Sequence, residues 1–371
     1  MHYCFFSLGS WEKNGTLLRL RDLGAALIRR GVDVSYLLDD VPWNRAMALD
    51  PRARAVFVAD PRSWKQFPAR RRLLRELAPD YLHIISPSPK AFLAAAGTRH
   101  RVVGDWDEWP ARRPNPPIRK AILRFCDQWL RRRATRCVVA SRYMQERFRE
   151  EYGIDAAYIP HASFMPPDAM VGLSNPYAEP TAVFMGNLDV TFDNDILFGA
   201  AAILKQRGIT PRIEVIGDGP DRAKWESFLR ERGLTNVNIT GYLEGVELSR
   251  RLRHAHVLLF PLRYSVPNVC RCPGKTFFYA QARRPVIATN VGEVPQVLKE
   301  KGIYVEPTAE AFADAITDAM SKPALPDVDY ALETWDTRAQ ALLDALGQPA
   351  AAPATPPSSA NVPAPAHQGA A

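Results

Sequence analysis

The chain has few cysteines, no long apolar run and none of several common catalytic signatures, and each shortage removes a class of answer. Cys4, Cys126, Cys137, Cys270 and Cys272 are an odd set without framework spacing, which excludes a small domain built on disulfides. Cys270 and Cys272 form a lone C-x-C with no second pair or flanking histidine, so no metal is expected there. No apolar stretch approaches the roughly 20 residues of a spanning helix. The first residues read as a strand through Tyr3, Cys4, Phe5 and Phe6 rather than as a leader; the expected location is the cytoplasm, or peripherally the inner face of a membrane. G-x-S-x-G and H-E-x-x-H are absent, and the first glycine loop lacks G-x-G-x-x-G. The Walker pattern survives only as Gly274-Lys275-Thr276, without its upstream glycines, which argues against an ATPase.

What is present is ordinary in amount and uneven in placement. At 371 residues and 47% hydrophobic the chain can bury a large core, and two domains suit its length at roughly 100–200 residues each. The net charge of +8 favours an anionic partner. Its basic residues gather in the first half, at Arg70, Arg71, Arg72 and Arg75 and again from Arg112 to Arg136, where Asp127 is the only acid. No nucleic-acid reading motif accompanies them, so nucleic acid is not an expected partner.

Short β-branched or aromatic runs at 3–8, 33–38, 55–59, 81–86, 101–105, 137–141 and 156–160 alternate with helical segments. The rhythm breaks over 166–180 and restarts at 181–186, 212–217, 237–242, 256–261, 285–290 and 303–305. Several runs are continuously apolar, as strands covered on both faces require. The expected fold is α/β, with two doubly wound Rossmann-like domains facing across a cleft: residues 1–165, a linker at 166–180, a second domain at 181–346, and an Ala/Pro-rich disordered tail at 347–371.

Ligands of open parallel sheets sit at the carboxyl ends of the strands. Four loops of the second half lie there. Gly186 follows a strand, as a close approach to a ligand or as a tight turn. Gly217 and Gly219, with Pro220, open a helix in a geometry that accepts anions or merely turns the chain. The third loop carries Asn268, Arg271 and Lys275, the two cations astride Pro273 just before a helix expected at 276–283. Two cations at a helix amino terminus oppose the helix dipole unless an anion is held there too; a solvated basic loop is the other reading. In the fourth, Gly292 and Glu293 precede another helix, and Glu293 either accepts from a sugar or ribose hydroxyl or caps that helix.

In the first half, Asp105, Trp106, Asp107, Glu108 and Trp109 follow a strand; carboxylates beside indoles suit a sugar-handling surface, or begin a capped helix. Asp105 is the catalytic candidate on this side, and the loop from Gly9 to Gly15 is its glycine-bearing companion. His161 is read as structural. Residues 118–136, with Ile118, Ile122, Phe125, Trp129 and Leu130 among the arginines up to Arg136, form either a surface for anionic lipid or a helix whose stripe is buried.

Gly15 with Arg19, the turn Gly217-Asp218-Gly219-Pro220, Gly241-Tyr242-Leu243 and the run from Arg271 to Glu293 resemble family 4 (group 1) retaining glycosyltransferases of GT-B architecture. Asn268, Arg271, Pro273 and Lys275 match a subgroup loop, N-x-x-R-x-P-x-K. The resemblance implies transfer of a sugar from a nucleotide-diphosphate donor, UDP- or GDP-linked, to a glycan or lipid-linked glycan, with retention and without an obligatory metal or other cofactor. Arg271 and Lys275 would carry the catalytic role of holding the leaving diphosphate, beside Gly186, Gly217, Gly219, Asn268, Gly292 and Glu293, with Gly15, Asp105, Trp106, Asp107 and Glu108 on the acceptor side. Cys270 and Phe278 stand where the family often has an acidic pair, so the alternative implied is a catalytically silent binding subunit of a glycan-assembly partner.

Overall fold

The computed structural model describes residues 1–9, 15–163, 168–189 and 192–348. The disordered-tail expectation and most of the Gly9-to-Gly15 loop therefore lie outside the described residues, where Gly15 is the first residue of the helix Gly15–Arg29. Strands β1 (His2–Phe6), β2 (Asp33–Asp39), β3 (Arg54–Val58), β4 (Tyr81–Ile85), β5 (Arg101–Trp106), β6 (Ala134–Val139) and β7 (Ala157–Tyr158) form a sheet in the order 3-2-1-4-5-6-7. Strands β8 (Thr181–Met185), β9 (Arg212–Ile216), β10 (Val237–Gly241), β11 (Val257–Phe260), β12 (Val286–Ala288) and β13 (Ile303–Tyr304) form a second, in the order 10-9-8-11-12-13. Every strand pairing in both is parallel, and helices cover both faces, so the expected pair of doubly wound Rossmann-like units is present.

Alternation along β1 shows why these runs become strands. Tyr3 and Phe5 enter a cluster on one face with Leu20, Leu27 and Tyr36, while Cys4 and Phe6 enter another with Leu82 and Ile84. That second cluster continues without a break through Ala140 and Met144 into Val183, Phe260, Val269 and Cys272, so the two sheets share buried apolar surface. The chain then returns: the helix Trp335–Ala345 packs on Gly15–Arg29, with Arg29 clamping Asp336 through two hydrogen bonds of 3.0 Å. It therefore lies on the first sheet although it follows the second in sequence.

In each sheet the strand order reverses beside the first strand of the unit, between β1 and β4 and between β8 and β11. At such a switch point the loops leave in opposite directions and a crevice opens at the carboxyl ends.

Candidate active site

Arg271 and Lys275 meet at the switch point of the second sheet. The segment expected as a polar loop contains a short helix, Val266–Cys270, started by Pro267 and by Ser265, whose Oγ accepts from Asn268 N. Arg271 caps it, Pro273 and Gly274 turn the chain, and Lys275 begins the helix Lys275–Ala282. That helix is pinned beneath the crevice by Tyr279, whose hydroxyl accepts from Met185 N at 2.7 Å and donates to Leu259 O at 3.1 Å, just before the ends of β8 and β11.

Three aromatic rings floor the crevice. The Lys275 ammonium lies 4.9 Å from the ring centre of Phe184, 5.1 Å from Phe260 and 5.3 Å from Phe192, and the Arg271 guanidinium lies 4.9 Å from Phe192. Phe184 and Phe260 are late residues of β8 and β11, so the sheet itself aims them here. Among the described residues neither cation has a carboxylate within ion-pair distance. Burial first, and then the charge of Arg271, push the Lys275 amine down to about 7, with Asp193 acting against them. Arg271 is likewise lowered by burial, against the attraction of Glu108 and Asp193. Asp193 cannot neutralise both cations, because it holds Arg263 (2.8 Å to its N–H) and the Asn268 amide (3.1 Å). Ring faces soften the cost of two partly desolvated cations without removing it; a bound anion would remove it.

The glycines sit around this point for a steric reason. A Cβ on Gly186 would fall 2.5 Å from Lys275 Nζ, and one on Gly217 would run into the carbonyl oxygen of Gly186. Gly219 similarly abuts Leu188 O, and Gly292 abuts Asn268 O. The glycine loops are thus stacked backbone to backbone beside the two cations. Asn268 is buried and bonds Arg263 O at 2.8 Å as well as Asp193, which makes it a brace for the Arg271 turn.

Glu293 corrects the expectation of a hydroxyl acceptor or a helix cap. It stands at the N-cap of Val294–Leu298 yet makes no capping bond. Its carboxylate crosses to the first unit instead, accepting from Arg142 N at 2.6 Å and from the Tyr158 hydroxyl at 2.5 Å, and the residue is only 2% exposed. Arg142 in turn covers the Tyr158 ring at 3.7 Å. Burial raises the Glu293 carboxyl above its usual range, opposed by the Tyr158 and Arg142 bonds.

The first unit differs more. β5 extends through Trp106, one residue further than expected, and Asp105 is paired within the sheet with Ile85 and Val138. It is 0% exposed, its Oδ2 taking Arg19 and His83 (2.9 Å), while His83 is bonded on its other nitrogen to the Tyr3 hydroxyl at 2.7 Å. Trp106 and Trp109 are also buried, and both indole N–H groups donate to Asp127 Oδ1, at 2.9 and 3.1 Å. The expected surface of indole faces, and Asp105 as a residue open to substrate, are therefore corrected: strand alternation turns these side chains into the core. Asp107 is buried against His161 Nε2 at 2.7 Å, and Glu108, half-buried, pairs with Arg113.

The 118–136 segment forms the helix Pro117–Arg133 followed by β6. Leu123, Cys126 and Leu130 are buried, whereas Ile118, Ile122 and Phe125, on an adjacent stripe, are 78%, 45% and 53% exposed. The helix thus has two apolar sets, and the more exposed one is partly engaged, Phe125 meeting Phe92 edge to face at 5.1 Å between ring centres. No helix among the described residues is long and apolar enough to cross a membrane.

Phe184, Phe192, Phe260 and Asp127 were not expected from the sequence. For Phe184 and Phe260 the signal was available, as aromatic residues near strand ends at a switch point; for Phe192 and Asp127 none was.

Two family models match the chain, Glycosyl transferases group 1 over residues 179–322 and Glycosyl transferase 4-like domain over residues 14–160. A comparison with curated proteins finds no match. Among solved structures, a sucrose-phosphate synthase from Thermosynechococcus elongatus superposes with a TM-score of 0.68 at 18% identity, over 94% of this chain and 97% of that one. Anabaena HepE in complex with UDP and glucose gives 0.60 at 15%, over 92% and 94%. The UDP-GlcNAc 2-epimerase of Methanocaldococcus jannaschii gives 0.58 at 11%, over 94% and 99%. Such likeness fixes the GT-B fold, which transferases and epimerases share; the two family models, which together span most of the chain, separate them. This chain belongs to the group 1 glycosyltransferases.

Proposed function

We propose that the protein moves a sugar from a nucleoside-diphosphate donor to a glycan or lipid-linked glycan, with retention at the anomeric carbon. The observation that carries this is the pair Arg271 and Lys275, two cations without a carboxylate partner among the described residues, at the switch point of the second sheet. A donor diphosphate there would neutralise both, each charge-assisted bond contributing roughly 1.5–3 kcal/mol. The bond from the anomeric carbon to the diphosphate oxygen breaks and the acceptor hydroxyl oxygen bonds to that carbon. The hydroxyl proton passes to the departing phosphate, whose growing negative charge the two cations stabilise. Retention rests on the family resemblance, and the first unit is assigned the acceptor. UDP is the first nucleotide to try, because HepE was solved with UDP and glucose. A lipid-linked acceptor is favoured by the exposed Ile118, Ile122 and Phe125 beside Arg119, Lys120 and Arg124, which together suit an anionic membrane surface.

The test is calorimetric titration of the purified protein with UDP, GDP and ADP, beside the double variant Arg271→Ala, Lys275→Ala. Saturable binding of one nucleotide, lost in the variant, is expected. Equal binding by both proteins would remove the two cations from the donor site. No binding by a folded wild type would return the silent-subunit alternative.

A further inference from the structure

A second cationic site lies on the first unit, apart from the donor crevice. Beside the helix Pro117–Arg133 is a cavity of about 310 Å³, whose lining includes Arg112, Arg124 and Arg131, the Asp127 carboxylate, Trp109 and Tyr152. Two of its guanidinium groups are fixed from behind. Arg131 donates through Nε to Asp127 at 2.9 Å and lies over Tyr152, 3.6 Å from the ring centre, while its two Nη groups make no hydrogen bond among the described residues. Arg112 lies over Trp109 at 4.7 Å and bonds Glu151 and the Tyr152 hydroxyl. Arg124, on the same helix as Arg131, is exposed and makes no hydrogen bond or ion pair among the described residues.

The nearby acids cancel part of this charge and leave one net positive charge, on Arg124. Asp127 is saturated by two indoles and Arg131, and Glu151 by Arg112. The Nη groups of Arg131 and the unpaired guanidinium of Arg124 match the oxygens of a phosphate. The loop that supplies Trp109 and Arg112 also supplies Glu108 and Arg113, whose charges act on Arg271.

We propose that this cavity binds a phosphate or diphosphate group of the acceptor, separate from the phosphates of the nucleotide. The proposal rests on the glycosyltransferase reading only in calling the ligand an acceptor. The shared chemistry is a phosphoryl group, free or carried on a lipid headgroup.

The experiment uses the full chain with the donor site disabled, Arg271→Ala, Lys275→Ala, with and without Arg124→Gln. Inorganic pyrophosphate is titrated calorimetrically, and phosphatidylcholine vesicles with or without phosphatidylglycerol are tested by co-sedimentation. Arg124→Gln removes no internal contact, so folding is retained. Loss of one charge-assisted interaction should weaken phosphoryl binding by about tenfold. Pyrophosphate binding weakened by Arg124→Gln supports the cavity for free phosphoryl groups. Inert pyrophosphate, with phosphatidylglycerol-dependent sedimentation weakened by Arg124→Gln, supports it for headgroups. The proposal is overturned if neither probe binds, or if binding is indifferent to Arg124→Gln, including the case where Phe125→Ser alone releases the vesicles. UDP titration of the wild type is read separately, so a failed donor site leaves the cavity result standing.

Discussion

Arg19 and Lys275 are cations on helices flanking two sheets of like strand order, and they are treated in opposite ways. Arg19, from the helix after β1, is fully buried and reaches Asp105 of β5, which also bonds His83 and through it Tyr3. Lys275 lies over three phenyl rings, with another cation beside it and no carboxylate partner among the described residues. A buried charge is tolerated when it is paired and bonded; one that is not is either destabilising or waiting for a ligand. The first unit has completed its electrostatics internally, and the second has left them for something that arrives.

Substitutions can break this comparison. The largest effect is expected on transfer: Arg271→Ala and Lys275→Ala should each lower kcat/KM on the order of 100- to 1,000-fold, with little loss of stability. If either lost most of its melting cooperativity instead, the two sites would be alike. Arg19→Ala should do the reverse, leaving Asp105 and His83 buried without their cation and costing about 3–5 kcal/mol in urea unfolding. A stable Arg19→Ala protein with selectively lost activity would move Arg19 into the catalytic site.

Two smaller effects sharpen the contrast. Tyr158→Phe removes one of the two donors to the Glu293 carboxylate between the units and should cost about 1.5–3 kcal/mol, read as a lowered Tm; an unchanged Tm would mean that Glu293 turns elsewhere in solution. The pH dependence of nucleotide binding follows from Lys275. Its amine, held at about 7 when free of ligand, would be raised by a bound diphosphate, so binding takes up a proton above that pH. Affinity should be level below about pH 7 and fall by up to about tenfold per unit above it. Lys275→Arg, charged throughout, should flatten the fall, and identical profiles for the two proteins would detach Lys275 from the phosphates.

The pieces legible in the sequence were those governed by local pattern. Thirteen apolar or β-branched runs became thirteen strands, and the break over 166–180 falls between two sheets. Arg271 and Lys275 were visible because Pro273 and Gly274 set them at a helix start. Asp105, the last residue of an expected strand, was misread as open to substrate because its partners Arg19 and His83 lie 86 and 22 positions away. Glu293 was misread because its partners, Arg142 and Tyr158, are more than 130 positions away.

By itself the sequence determined the class, the two parallel sheets and the position of the basic loop, because hydrophobic period, proline and glycine act within a few residues. Tertiary structure alone decided which charges are satisfied. Whether Arg19 finds Asp105, whether Lys275 finds only phenyl rings, and whether Ile118 and Phe125 find anything at all depend on contacts between distant segments. A charge or an apolar side chain acquires its meaning from what folding brings within a few ångströms of it.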